Sequence, residues 1–254
     1  MKPIAFLLCL LVWPMSVFSA ELSGEALLER SRSAYAALTS YIGTSMVKNE
    51  HVMDGSLYTQ SATAKVTFLS PDRIRIEGKD SGGRAFTIVS DAGVTWFSWE
   101  FKNRGAFEQV ESLEIAVASL TGVAVAAPTV IPALLMNLKW GFAFARLGSA
   151  SAVTRESVSG FDCYKVSISQ PERTVTYWVD ARSYLLRQMK EEQDENQTTE
   201  MQKMMQKLAG EALKQKGIQL PKFEIGSMEI FHSFMIDAIN VPIEPRLFQD
   251  PTTK

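Results

Sequence analysis

Histidine and cysteine are scarce in this chain, with two of each among 254 residues. That scarcity limits metal and nucleophilic chemistry from the outset. No HxxxH, CxxC or DxD spacing occurs, so no metal site is expected. His51 lies among polar residues near a turn and His232 continues an apolar alternation, and each reads as structural. Ser119-Leu120-Thr121-Gly122 is not a nucleophile elbow, and Ser81-Gly82-Gly83 is too short to cradle a phosphate. The expectation is a protein without catalytic residues, metal or cofactor. A basic excess is also missing: 26 Lys and Arg stand against 28 Asp and Glu, which argues against nucleic acid as a partner. With only 15 Gly and 10 Pro, and 46% hydrophobic residues, the composition is that of a folded chain.

What the beginning does carry is an export signal. Met1-Lys2 is a short positive start, Ile4 to Trp13 is apolar without charge, and Ser16 and Ser19-Ala20 supply small residues at the exit. This is the pattern of a secretory signal peptide over 1–20, cleaved near Ser19/Ala20. The run is shorter than the roughly 20 apolar residues a membrane anchor needs. Cys9 sits inside the run after Leu7-Leu8, which excludes a lipoprotein exit. Cleavage leaves Cys163 alone, so no internal disulfide staples the mature chain. Lys165 is the one basic neighbour of Cys163, and a structural thiol is expected. The mature protein should be periplasmic and monomeric, a single domain over 21–254 held together by its core.

Along the mature chain, Ser23 caps a helix whose stripe is Leu27, Leu28, Ser31, Ala34, Tyr35 and Leu38. From Tyr41 the period becomes two, with a long strand from Tyr58 to Phe68. Pro71-Asp72, Ser81-Gly82-Gly83 and Asp91-Ala92-Gly93 separate further strands at 74–77, 85–90 and 94–101, which suggests an antiparallel meander. Val94 to Phe101 bears large apolar groups on both faces, so both faces should be covered. No charge occurs from Ile115 to Leu138, but Gly122, Pro128 and Pro132 break the run. Two short helices, about 108–120 and 128–138, are expected there rather than a membrane span. Strands follow at 152–158, 163–169, 174–179 and 185–191, then an acidic connection. Thr199 with Gln202 makes a capping box for a Met-striped helix over 199–216, and Met228 to Ile236 is the last strand. The surplus of apolar surface fits either a dry ligand pocket or a filled core.

The order of these elements, with four stretches, resembles the LolA/LolB-like superfamily of periplasmic lipoprotein and lipid carriers. Ser70-Pro71-Asp72-Arg73-Ile74-Arg75-Ile76-Glu77 is similar to its proline-led strand, and Ser90-Asp91-Ala92-Gly93-Val94-Thr95-Trp96-Phe97 to its turn and strand. Tyr177-Trp178-Val179-Asp180 with Leu185-Leu186-Arg187-Gln188, and Ile239-Asn240-Val241-Pro242-Ile243 with Phe248, complete the likeness. Thr154 to Gly160 with Cys163 resembles a less characterised periplasmic branch. The carrier's arginine before that proline is Ser70 here, and a helix within 196–217 looks inserted.

The resemblance implies an α+β, mainly β fold, a curved half-open antiparallel β-barrel with helices covering or filling its mouth. It further implies a non-catalytic carrier or chaperone that holds a lipid, an acyl chain or a lipidated protein in a hydrophobic cavity, with an envelope membrane protein as a further partner. The residues expected to line that cavity are Phe86, Ile88, Trp96, Trp99, Leu134, Leu135 and Met136. The other reading is an envelope interaction or stress-sensor module of the same fold with no transport role.

Overall fold

A computed structural model describes residues 22–120, 126–138, 149–170, 173–193 and 225–252. The signal segment and the Met-striped helix therefore lie outside the described residues. The first element, α1 (Gly24–Ala36), starts where expected, because Ser23 Oγ accepts the Ala26 amide at 3.2 Å. Its stripe of Leu27, Leu28, Ser31 and Tyr35 is buried.

Asp54-Gly55 splits the period-two region that begins at Tyr41 into β1 (Ser40–Met53) and β2 (Ser56–Leu69). Both turn residues have positive φ, 50° and 74°, the twist that joins two strands tightly. The meander continues through β3 (Arg73–Lys79), β4 (Ala85–Asp91) and β5 (Val94–Trp99).

The fifth strand is shorter than the sequence suggests. Trp99 Nε1 and the Trp99 amide are engaged by Asp80 and Asn103, and Glu100–Asn103 turn into the short helix α2. Phe101 is thereby left 65% exposed instead of continuing the strand. The expected helix from 108 also starts later. Glu108–Val110 instead form β6 on the open edge of β5, and Ser112 caps α3 (Leu113–Ala118). The other apolar helix, α4, is Val130–Leu135. No helix among the described residues is long and apolar enough to cross a membrane.

The second half adds β7 (Ser149–Ala150), β8 (Thr154–Val158), β9 (Phe161–Gln170), β10 (Arg173–Asp180), β11 (Leu186–Gln193) and β12 (Ile225–Ile239), before the 3-10 turn η1 (Pro245–Phe248). All pairings are antiparallel, in the order β6-β5-β4-β3-β2-β1-β12-β11-β10-β9-β7 with β8 also on β9. This is one curved, unclosed sheet, the mainly β architecture expected. The last long strand, β12, joins the two meanders by pairing with β1 and β11.

Helices α1, α3 and α4 each bury an apolar stripe against one face of this sheet. Leu27, Leu28, Val117, Ile131, Val66, Ile76 and Phe97 all belong to one continuous cluster. On the opposite face, η1 packs against β3 and β4 and buries Phe248 completely.

Candidate functional site

The apolar helix α4 is built from local signals. Pro132 falls in its first turn, where a missing N–H costs nothing. At its end Asn137 takes φ 49°, and Leu138 N donates to Ala133 O at 3.0 Å. That is the left-handed closure that satisfies the last carbonyls of a helix. All six residues of α4 are buried and none is charged.

Between α4 and α1 lies a groove of about 420 Å³. Leu38, Phe68, Leu134, Leu135 and Met136 give it an apolar lining, and Tyr35 and Pro71 contribute to the wall. Glu29 and Arg32, an ion pair on the exposed side of α1, stand with Ser33 and Asn137 at the same groove. Tyr35 is held by its hydroxyl, which accepts the Leu186 amide at 3.2 Å. Burial, with the neighbouring Tyr41, pushes this phenol well above its usual range, so it stays protonated.

The seven residues expected to line a cavity fall into three places. Leu134, Leu135 and Met136 meet in the groove. Phe86, Ile88 and Trp99 lie deeper in the core, at 2%, 0% and 6% exposure. The Phe86 ring lies across Gly78, where an added Cβ would stand 2.6 Å from a ring carbon. Trp99 pairs with Phe86 across β4 and β5, and its indole N–H donates to Asp80 Oδ2 at 3.0 Å. Trp96 does not join them. Its strand partner is Val89, it lies outside the core cluster, and alternation turns it to the face opposite the helices.

Sequence reasoning missed Tyr35, Leu38 and Phe68 as groove residues. Their periodicity marks them as buried, and only the meeting of α1, β2 and α4 makes them neighbours.

The described residues contain no group of three or more potential metal ligands. Cys163 is fully buried beside Val158 and Trp178, and burial first, then the Asp180 charge, push its thiol up. His51 stacks on Tyr58 with centroids 5.7 Å apart. His232 is buried, and burial pushes it down to about 3.

The family described as "Predicted periplasmic protein (DUF2092)" matches residues 24–206. The chain belongs to the DUF2092 family. That family description agrees with the export signal and places the protein in the periplasm. No curated protein matches the sequence.

Among solved structures, this DUF2092 chain is similar to a DUF1329 family protein from Desulfovibrio piger, with 10% identity, a TM-score of 0.35, and 91% of this chain and 98% of that one covered. A LolA superfamily protein from Nitrosomonas europaea aligns with 11% identity, a TM-score of 0.35, and coverage of 91% and 99%. A Vibrio parahaemolyticus domain named for outer membrane lipoprotein sorting aligns with 10% identity, a TM-score of 0.30, and coverage of 87% and 94%.

Proposed function

We propose that this periplasmic DUF2092 protein is a single-domain, non-catalytic binding protein that accepts the acyl chain of a lipid or lipidated protein between α1 and α4. The observation that carries this reading is the groove itself. Its lining of Leu38, Phe68, Leu134, Leu135 and Met136 leads inward to a core whose filler is an uncharged six-residue helix. A helix that short contributes little stability of its own. Displacing it exchanges one apolar filler for another, so water need not reach the sheet. Binding of this kind requires no bond chemistry.

The close burial of Phe86, Ile88 and Trp99, at 6% exposure or less, favours a second reading, an envelope interaction module that holds no lipid. The test compares a fluorescent fatty-acyl probe with thermal stability on two variants. Leu135→Glu at the groove is expected to lose acyl binding with a small drop in melting temperature, because the charge can reach water there. Ile88→Glu, deep in the sheet, is expected to unfold the protein, since an unpaired buried charge costs several kcal/mol, roughly. A parent protein that binds no acyl probe, and carries no lipid in native mass spectrometry after periplasmic purification, would leave the interaction module standing.

A further inference from the structure

The helix-bearing face is not apolar throughout. Strand registers align Ser45 with Phe234, Val47 with His232, Asn49 with Ile230 and His51 with Met228. On the other side of β12, Met189 aligns with His232, Glu191 with Ile230 and Gln193 with Met228. Val47, Met189 and Phe234 belong to the core cluster, so by alternation these residues all share the core's face. Toward the β1–β2 hairpin, that face changes from hydrocarbon to polar groups.

Those polar groups lack partners. Seven buried side-chain polar atoms among the described residues have no hydrogen bond, and five of them lie here: Ser45 Oγ, Asn49 Oδ1, His51 Nδ1, Gln193 Oε1 and His232 Nδ1. Ser45 and His232 are 1% and 2% exposed. Buried polar groups in folded proteins are nearly always paired, so five orphans on adjoining strands indicate that something polar belongs against them. Each of the five is of a kind that can accept a hydrogen bond: two amide oxygens, a hydroxyl oxygen and two imidazole nitrogens. Among the described residues, charged groups near this end of the face pair with one another. Arg173 bonds Glu191 at 2.9 Å and Gln170 at 3.1 Å. An anionic head offers no donor to the two amide oxygens and carries the cost of burying a charge.

We propose that this end of the face binds the uncharged, hydroxyl-bearing head of an amphiphile, of the glyceryl or sugar kind, whose hydroxyls donate to Asn49, Gln193, Ser45 and His232. The proposal rests on the acyl-chain reading above and gives its ligand a class. Burial holds His232 neutral across the physiological range, so it remains able to accept.

The experiment measures binding of three probes of one chain length to the mature protein, by displacement of a fluorescent acyl probe: monoolein, methyl oleate and oleate. Monoolein is expected to bind about tenfold or more tightly than methyl oleate, and oleate no more tightly than the ester. The Ser45→Ala variant and the Asn49→Leu/His232→Phe double variant should lose the monoolein preference while keeping methyl oleate affinity. Neither should lose thermal stability, since each removes unpaired buried groups. Equal affinity for monoolein and methyl oleate would mean that ordered water satisfies these atoms, and would overturn the headgroup site while sparing the acyl reading. A preference that survives in both variants would also overturn it. Failure of all three probes to bind would remove the acyl reading itself, and this inference with it.

Discussion

Tyr35 and Leu186 are 151 positions apart in sequence, yet the Tyr35 hydroxyl accepts the Leu186 amide at 3.2 Å inside the core. The bond pins α1 to β11 and fixes one wall of the groove. The opposite wall, α4, has no charged side chain with which to make an ion pair. The two walls are therefore unequally tethered, and α4 is the one expected to move. Tyr35→Phe keeps the ring and removes the acceptor, leaving a buried amide unpaired. It should cost about 1–3 kcal/mol in denaturant unfolding. A neutral result would mean that the hydroxyl is not an anchor.

His232 gives the fold an acid sensitivity. Burial lowers its folded value to about 3 from the ordinary 6.5, so unfolding takes up a proton whenever the pH lies between those two values. Stability from this group is fully present above about 6.5 and is lost as the pH falls, at up to about 1.4 kcal/mol per pH unit. From pH 7 to pH 5 the loss should be about 2 kcal/mol. His232→Phe should flatten that slope, as measured by urea unfolding at each pH. An unchanged slope would assign the sensitivity to other groups.

The C-terminal motif predicts a further effect. Asn240 Oδ1 accepts from Thr39 N at 2.9 Å and from Thr39 Oγ1 at 3.1 Å, while its own backbone sits at φ 54°. Ser40 Oγ donates to Val241 O at 2.6 Å and accepts from Val241 N at 2.8 Å. Asn240→Ala loses both bonds and puts in the left-handed region a residue that tolerates it less well than Asn, at a combined cost of about 2–3 kcal/mol. Asn240→Gly should cost less, because it relieves the backbone. If the two variants unfold alike, the strain contributes nothing.

Cys163 should be silent in the native protein. Fully buried, with its thiol pushed up by burial and by Asp180, it should resist alkylation at pH 8 and react only after denaturation. Cys163→Ser should leave acyl binding within a few-fold of the parent and cost roughly 1–2 kcal/mol for the hydroxyl placed beside Val158 and Trp178. Rapid native alkylation would show that the strand opens.

Charge on Asp180 supports the same corner of the sheet. Burial works to raise its carboxyl. Hydrogen bonds from the Ser183 and Arg182 amides and from Arg187 outweigh burial and hold the carboxyl below its ordinary value. Stability from this group is present above the ordinary carboxylate value and disappears as the pH falls through the lowered one. Urea unfolding at a series of acid pH values should show a shallower loss of stability in Asp180→Asn than in the parent, and an unchanged slope would assign that loss to other carboxylates.

Local features were readable from the chain because their causes are local. The Ser23 cap, the Gly82-Gly83 and Ala92-Gly93 turns and the alternation of β2 to β5 depend on a few neighbouring dihedrals and on whether a side chain prefers water. The motifs resembling the LolA/LolB-like group carried the curved, unclosed sheet as well. Tertiary structure decided which buried residues met. The placement of β12 between β1 and β11 joins segments far apart in sequence, and nothing in β12 itself names its partners. Glu108–Val110 became an edge strand because β5 had an unpaired side, which outweighed a pattern that also suits a helix. Trp96 and Trp99 are both apolar aromatics, and a strand's alternation sends them to opposite faces. Composition alone cannot say which face the helices cover. The groove, and the unpaired polar end of the same face, exist only because distant strands and helices converge. Hydrophobicity drives burial without direction, and shape and register choose the partner.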